Sequence, residues 1–171
     1  MKDTVDIMDV RLASKQFAML YFHFCNTLKN AFGEKKALDL VQKTIFEFSL
    51  DRTDRARKRA ADLGIENILE NFPLVNDLPI IAWSDWEPEM GGVRCPYAEV
   101  WLEYFEKNPW FKPFAVLYCD VIDTTNIENF TRTMSQKITK NLLCGDSCCD
   151  HEYFESDAVK AGNFTYGKAG I

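Results

Sequence analysis

Five of the six cysteines, Cys95, Cys119, Cys144, Cys148 and Cys149, fall between residues 91 and 150 of this 171-residue chain. Each stands where a segment starts, ends or turns rather than inside an apolar stripe. Thiols so placed can attack carbon as thiolates or ligate a metal. The competing reading is packing, because free cysteine is among the most buried residue types.

Cys95 has the strongest case for a nucleophile. Pro96 suits the first position of a helix, which makes Cys95 its N-cap. Unpaired N–H groups and the positive end of the helix dipole favour a thiolate there. The same N–H groups suit the negative charge of a tetrahedral intermediate. A packed helix start is the alternative. Asp120 and Asp146 are the candidate general acid and base, although Asp146 in its Gly-Asp turn equally suits a turn residue bonded to nearby backbone. Tyr97, Cys119, Cys149 and His23 are candidate substrate contacts, with His23 alternatively a hydrogen-bonded core residue. The one basic cluster, Arg52, Arg55, Arg57, Lys58 and Arg59, reads as a solvated helix face or as the source of one arginine, Arg55 first, for a substrate carboxylate. No cofactor is required by these assignments. Zinc is the one metal the residues suggest, held by Cys119, Cys144, Cys149 (or Cys148) and His151. Zinc-bound water would then replace Cys95 as the attacking group. Against a metal, no CxxC pair exists, and adjacent cysteines in a strand face opposite ways.

The elements that must position these groups follow from periodicity. Residues 1–10 carry little pattern and read as a flexible start. Residues 11–32 are apolar on nearly every side and predict a buried helix ended by Gly33. Ala37, Leu38, Val41, Ile45 and Phe48 mark the inner face of a second helix over residues 34–49. Asp51 or Thr53 can cap a third, which stops at Gly64. Residues 80–87 and 90–94 read as a hairpin containing Gly91-Gly92. Helices are then predicted from Pro96 and again around Phe114 to Asp120. Residues 131–143 and 148–154 pair as a second hairpin, which puts Cys149, His151 and Tyr153 on one face. Residues 156–171 read as a flexible tail. The expected fold is a single α+β domain over residues 11–155, with a helical N-terminal half packed on a small antiparallel sheet with helices.

Composition narrows the partners. The net charge is −6 and the isoelectric point near 5.0, which argues against nucleic acid and anionic membranes. No apolar run is long enough to span a bilayer, and the acidic first residues show no basic leader segment. A cytoplasmic location with reduced thiols is expected, and a homo-oligomer is left open.

CPYAEVW, YCDVID and the closing GDSCCD resemble, in this order, the L-2-amino-thiazoline-4-carboxylic acid hydrolases. The resemblance spans residues 80–155 and rests on Cys95-Pro96-Tyr97, Tyr118-Cys119-Asp120 with Asp123 nearby, and residues 145–149. His151 departs from the family pattern, which expects an aromatic or apolar residue. The resemblance implies hydrolytic opening of a cyclic amidine ring that contains sulfur, giving an N-carbamoyl cysteine. That reaction needs a nucleophile at the carbon between N and S, a proton for the leaving group, and a cation for the substrate carboxylate. The same hairpin also resembles small-molecule sensor domains related to vinyl-4-reductases, which hold a structural zinc. An interaction module with incidental cysteines is a third reading.

Overall fold

The computed structural model describes residues 6–83 and 95–165. Helix α1 (Ile7–Phe32) starts at Asp6, whose side chain accepts from the Met8 N–H, so order begins inside the stretch expected to be flexible. Gly33, at φ 79°, separates α1 from α2 (Glu34–Leu63) by a single residue, and its positive φ favours glycine. The 3-10 turn Leu69–Asn71 and the short α3 (Phe72–Val75) follow, and Ile80–Ala82 is another 3-10 turn. Apart from its first residues, the hairpin expected over 80–94 lies outside the described residues; Ile80–Ala82 is helical rather than extended. Helix α4 (Pro96–Lys107) begins at Cys95 with Pro96 in its first turn, as its sequence predicts. After the turn Pro109–Phe111 comes α5 (Lys112–Thr131), then strands β1 (Met134–Lys140) and β2 (Asp150–Glu155), and α6 (Asp157–Lys160). The fold is α+β and mostly helical, with one antiparallel two-stranded sheet among the described residues. No helix among the described residues is long and apolar enough to cross a membrane.

The break expected near Asp51 is absent, and α2 is continuous to Leu63. Its buried stripe runs Ala37, Val41, Ile45, Ser49, Thr53, Ala56, Ala60, which is helical spacing without a Gly or Pro. Thr53 does not cap a new helix; its hydroxyl donates to the Ser49 carbonyl (2.6 Å). Ser49 and Thr53 are spent on α5 instead. The Ser49 hydroxyl bonds Asn126 Oδ1 (2.7 Å), and the Asn129 amide donates to Thr53 Oγ1 (2.7 Å). Small and polar residues on α2 thus let α5 approach closely while the buried hydroxyls of Ser49 and Thr53 find partners.

The main core is aromatic. Trp101 of α4 is fully buried, with its indole N–H on the Ala18 carbonyl (3.0 Å) and rings of Tyr21, Tyr97, Phe111 and Tyr118 around it. Arg11 and Glu99 form an ion pair (2.7 Å) that joins α1 to α4 at the edge of this core.

The register pairs Gln136 with Tyr153 and Ile138 with His151, with an irregularity between Ile138 and Lys140. Helix α5 lies between α2 and the sheet, buried along most of its second half. The described part of the expected loose tail is docked. Ser156 caps α6, Val159 is buried, and the Thr165 N–H (2.9 Å) and hydroxyl (2.6 Å) both donate to the fully buried Glu128 carboxylate. The Ser135 hydroxyl also donates to that carboxylate (2.5 Å), which explains how a charged group sits inside.

The buried ionisable groups set a pH dependence. Burial pushes Cys25 up to about 12 from 9.0 despite the opposing hydrogen bond from Tyr21, and Tyr97 up to about 12 from 10.0. These groups bind their protons more tightly folded than unfolded. The stability this gives is fully present below the unfolded thiol value near 9 and is lost as pH rises towards 12. The thermal midpoint should therefore hold up to about pH 9 and fall from there to about pH 11 when followed by circular dichroism. A midpoint that stays flat over that window would contradict this burial.

Candidate functional site

A cavity of about 390 Å³ opens where the start of α4, the middle of α5, β2 and α2 meet. Helix α5 supplies Tyr118, Cys119, Ile122, Asp123 and Asn126, whose spacing forms one helical stripe. Cys95 and Tyr97 enter from the first turn of α4, and Arg52 comes from α2. Cys149, His151 and Tyr153 line the cavity together, as strand alternation predicts.

The cavity therefore gathers three thiols from distant parts of the chain. It also holds an acid–base pair, His151 Nε2 and Asp123 Oδ2, separated by 3.5 Å. The hydrogen bond to Asp123 lifts His151 above its ordinary value of 6.5, although burial works the other way. Sequence reading placed His151 only among metal ligands and Asp123 only beside a motif. The four-residue spacing of Cys119 and Asp123 was the available signal, since it puts both on one helix face.

The thiols differ from expectation in their ionisation. Burial pushes Cys95 up to about 12, against the N–H groups of Ala98 and Tyr97, which favour the thiolate. No capping hydrogen bond closes on its sulfur. Desolvation thus outweighs the helix N-terminus, and the expected low-pKa thiolate is not present in the free protein. Burial also raises Cys119 and Cys149, and the Asp123 carboxylate adds to both.

Several other assignments move. Asp120 is half-buried outside the cavity lining, its carboxyl raised by burial and by Asp123. Asp146 is exposed and outside the lining; its carboxylate accepts from the Asn141 N–H (2.8 Å), which is the turn role. His23 is exposed on the outer side of α1 rather than in the core or the cavity. Arg55 is exposed and pairs with Asp51 (3.1 Å), whereas Arg52, three residues earlier, lines the cavity. The remaining arginines of the cluster hold backbone carbonyls: Arg57 that of Phe130 (2.6 Å), Arg59 that of Val75 (2.7 Å).

Cys119, Cys149 and His151 share the cavity, but Cys144 is exposed outside its lining. Among the described residues, no group of three or more His, Cys, Asp or Glu side chains is arranged to hold a metal ion. The four-ligand zinc set is therefore not assembled. A smaller cavity of about 260 Å³ adjoins the first and shares Asp123, Asn126, His151 and Tyr153. The buried Gln136 lines it, with an Nε2 that has no hydrogen-bond partner among the described residues.

No family model matches this chain, and neither curated proteins nor solved structures give a match.

Proposed function

We propose that this protein is a hydrolase that opens a small cyclic amidine such as 2-amino-thiazoline-4-carboxylate, with Cys95 as nucleophile. The observation that carries this reading is the meeting of thiols, the Asp123–His151 pair and Arg52 around one cavity. Cys95 is preferred among the thiols because the N–H groups of Ala98 and Tyr97 both favour its anion.

Because the thiol is neutral in the free protein, the mechanism requires a base at the moment of attack. Neutral His151, oriented by Asp123 at Nε2, accepts the thiol proton at its other ring nitrogen. The Cys95 sulfur bonds to the ring carbon between N and S, and the ring C–S bond breaks. The proton held by His151 passes to the departing substrate sulfur. Water then adds to the same carbon, the enzyme C–S bond breaks, and Cys95 leaves with a proton. One water is consumed, and the product is an N-carbamoyl cysteine with a free thiol.

The test is incubation of the purified protein with 2-amino-thiazoline-4-carboxylate, followed by mass spectrometry and thiol titration. One new thiol and the mass of one water should appear per turnover. The acid limb of the rate profile should lie above pH 6.5, because Asp123 holds the His151 proton. Asp123→Asn should move that limb to lower pH while slowing the reaction. Binding of the acid with no new thiol would instead favour a small-molecule sensor.

A further inference from the structure

Arg52 lies at a junction. It lines the thiol cavity, and with Leu78, Tyr97 and Tyr118 it also lines a second cavity of about 480 Å³. That second cavity is walled by Asp9, Ser14 and Phe17 of α1 and by Phe48 of α2. Arg52 is the one Lys or Arg side chain lining either cavity among the described residues. Its side chain is only 16% exposed, and both arms of its fork are engaged by a single carboxylate. The Nε–H donates to Asp77 Oδ2 (2.9 Å), and Nη2 donates to Asp77 Oδ1.

Asp77 belongs to the short segment after α3 and is 38% exposed, so it can be rehydrated at modest cost. Burial disfavours its charge, yet Arg52 holds it below the usual carboxylate range. A guanidinium this enclosed is stabilised by an anion on its planar fork. The anion need not be the same one throughout. A ligand carboxylate offers the same two oxygens in the same plane, so exchange preserves both charge-assisted bonds.

We infer that Arg52 is the carboxylate-binding cation of this site and that Asp77 is its resident counter-ion, replaced when a small carboxylic acid binds. The pair makes the cavity selective for a planar monoanion over its neutral counterpart, and it keeps the arginine ordered while the site is free. As a statement about the substrate carboxylate, this rests on the hydrolase reading; as a statement about anion binding, it does not.

The test measures binding rather than turnover. Thiazole-4-carboxylate and thiazole-4-carboxamide serve as stable ring probes, titrated calorimetrically against wild type, Arg52→Gln, Asp77→Asn and the double variant. Wild type should bind the acid roughly tenfold or more tighter than the amide, which is about 1.4 kcal/mol. Arg52→Gln should erase that ratio. Asp77→Asn should tighten acid binding several-fold and leave the amide unchanged, because the competing anion is gone. The double variant carries no unpaired charge, so its fold is protected, and it should bind both probes alike. The inference is overturned if wild type shows no preference for the acid, if Arg52→Gln keeps the preference, or if Asp77→Asn weakens acid binding. Arg52-dependent acid binding without hydrolysis of 2-amino-thiazoline-4-carboxylate would sustain this inference and defeat the hydrolase reading. Hydrolysis whose acid preference survives Arg52→Gln would do the reverse.

Discussion

Serine in place of Cys95 is expected to lower turnover of 2-amino-thiazoline-4-carboxylate by roughly a thousandfold or more, about 4 kcal/mol of barrier. The two side chains are close in size, and serine is a good N-cap, so the helix that starts at Pro96 should be kept. What is lost is a group that can ionise: burial already pushes the Cys95 thiol up to about 12, and a hydroxyl lies well beyond any base in the cavity. The thermal midpoint should move little, which separates a chemical defect from a folding one. Retention of more than about a tenth of wild-type turnover would rule out Cys95 as the attacking group. Alkylation gives an independent check. In the free protein at neutral pH, exposed Cys144 should react with iodoacetamide before half-buried Cys95, which reverses the order a helix-terminal thiolate would show.

Trp101→Ala should cost about 3–5 kcal/mol of stability, the range for removing a large aromatic from a packed interior. Trp101 is fully buried against four other aromatic rings, at centroid distances of 5.3 Å to Tyr21, 5.4 Å to Tyr97, 6.1 Å to Phe111 and 5.4 Å to Tyr118. The change also removes the indole hydrogen bond to Ala18 (3.0 Å), which ties α4 to α1. Since a domain of this size has only about 5–15 kcal/mol in total, the melting temperature should drop by about 10 °C or more. Trp101→Phe should lose distinctly less, because most of the ring contacts return. Tyr97 and Tyr118 rest on this indole and also line the thiol cavity, so ligand binding should weaken in both variants in the same order. A loss below about 1 kcal/mol for the alanine variant would show that the core closes over the gap.

Much of the scaffold was legible in the sequence. Gly33 and Gly64 mark the ends of the two long helices because both adopt positive φ, which side chains resist. Cys95-Pro96 marks the start of α4 because proline lacks the N–H that a first turn would leave unpaired. Period-two alternation put Cys149, His151 and Tyr153 on one face, and they share one cavity. These are local properties, fixed by a residue and its near neighbours.

The choices among similar residues were settled only in three dimensions. Arg52 and Arg55 are equivalent in composition and helix, but their positions on α2 send one into the cavity beside Asp77 and the other to the surface. Asp123 rather than Asp120 faces His151, because the three-residue step between them turns α5 by about 300° and leaves Asp120 about 60° off that line. Thr53 looks like the cap of a new helix until α5 is present, where the Asn129 amide donates to it and Asn126 accepts from Ser49 one turn earlier. The loose-looking residues from Ser156 to Thr165 acquire a place because the buried Glu128 carboxylate needs donors. Cys95 has the helix N-terminus its sequence promised, yet its thiol stays protonated. Dipole effects are worth about a kcal/mol at a helix end, whereas burial removes the water that a thiolate depends on. Burial is a property of how distant segments meet, and no short motif carries it.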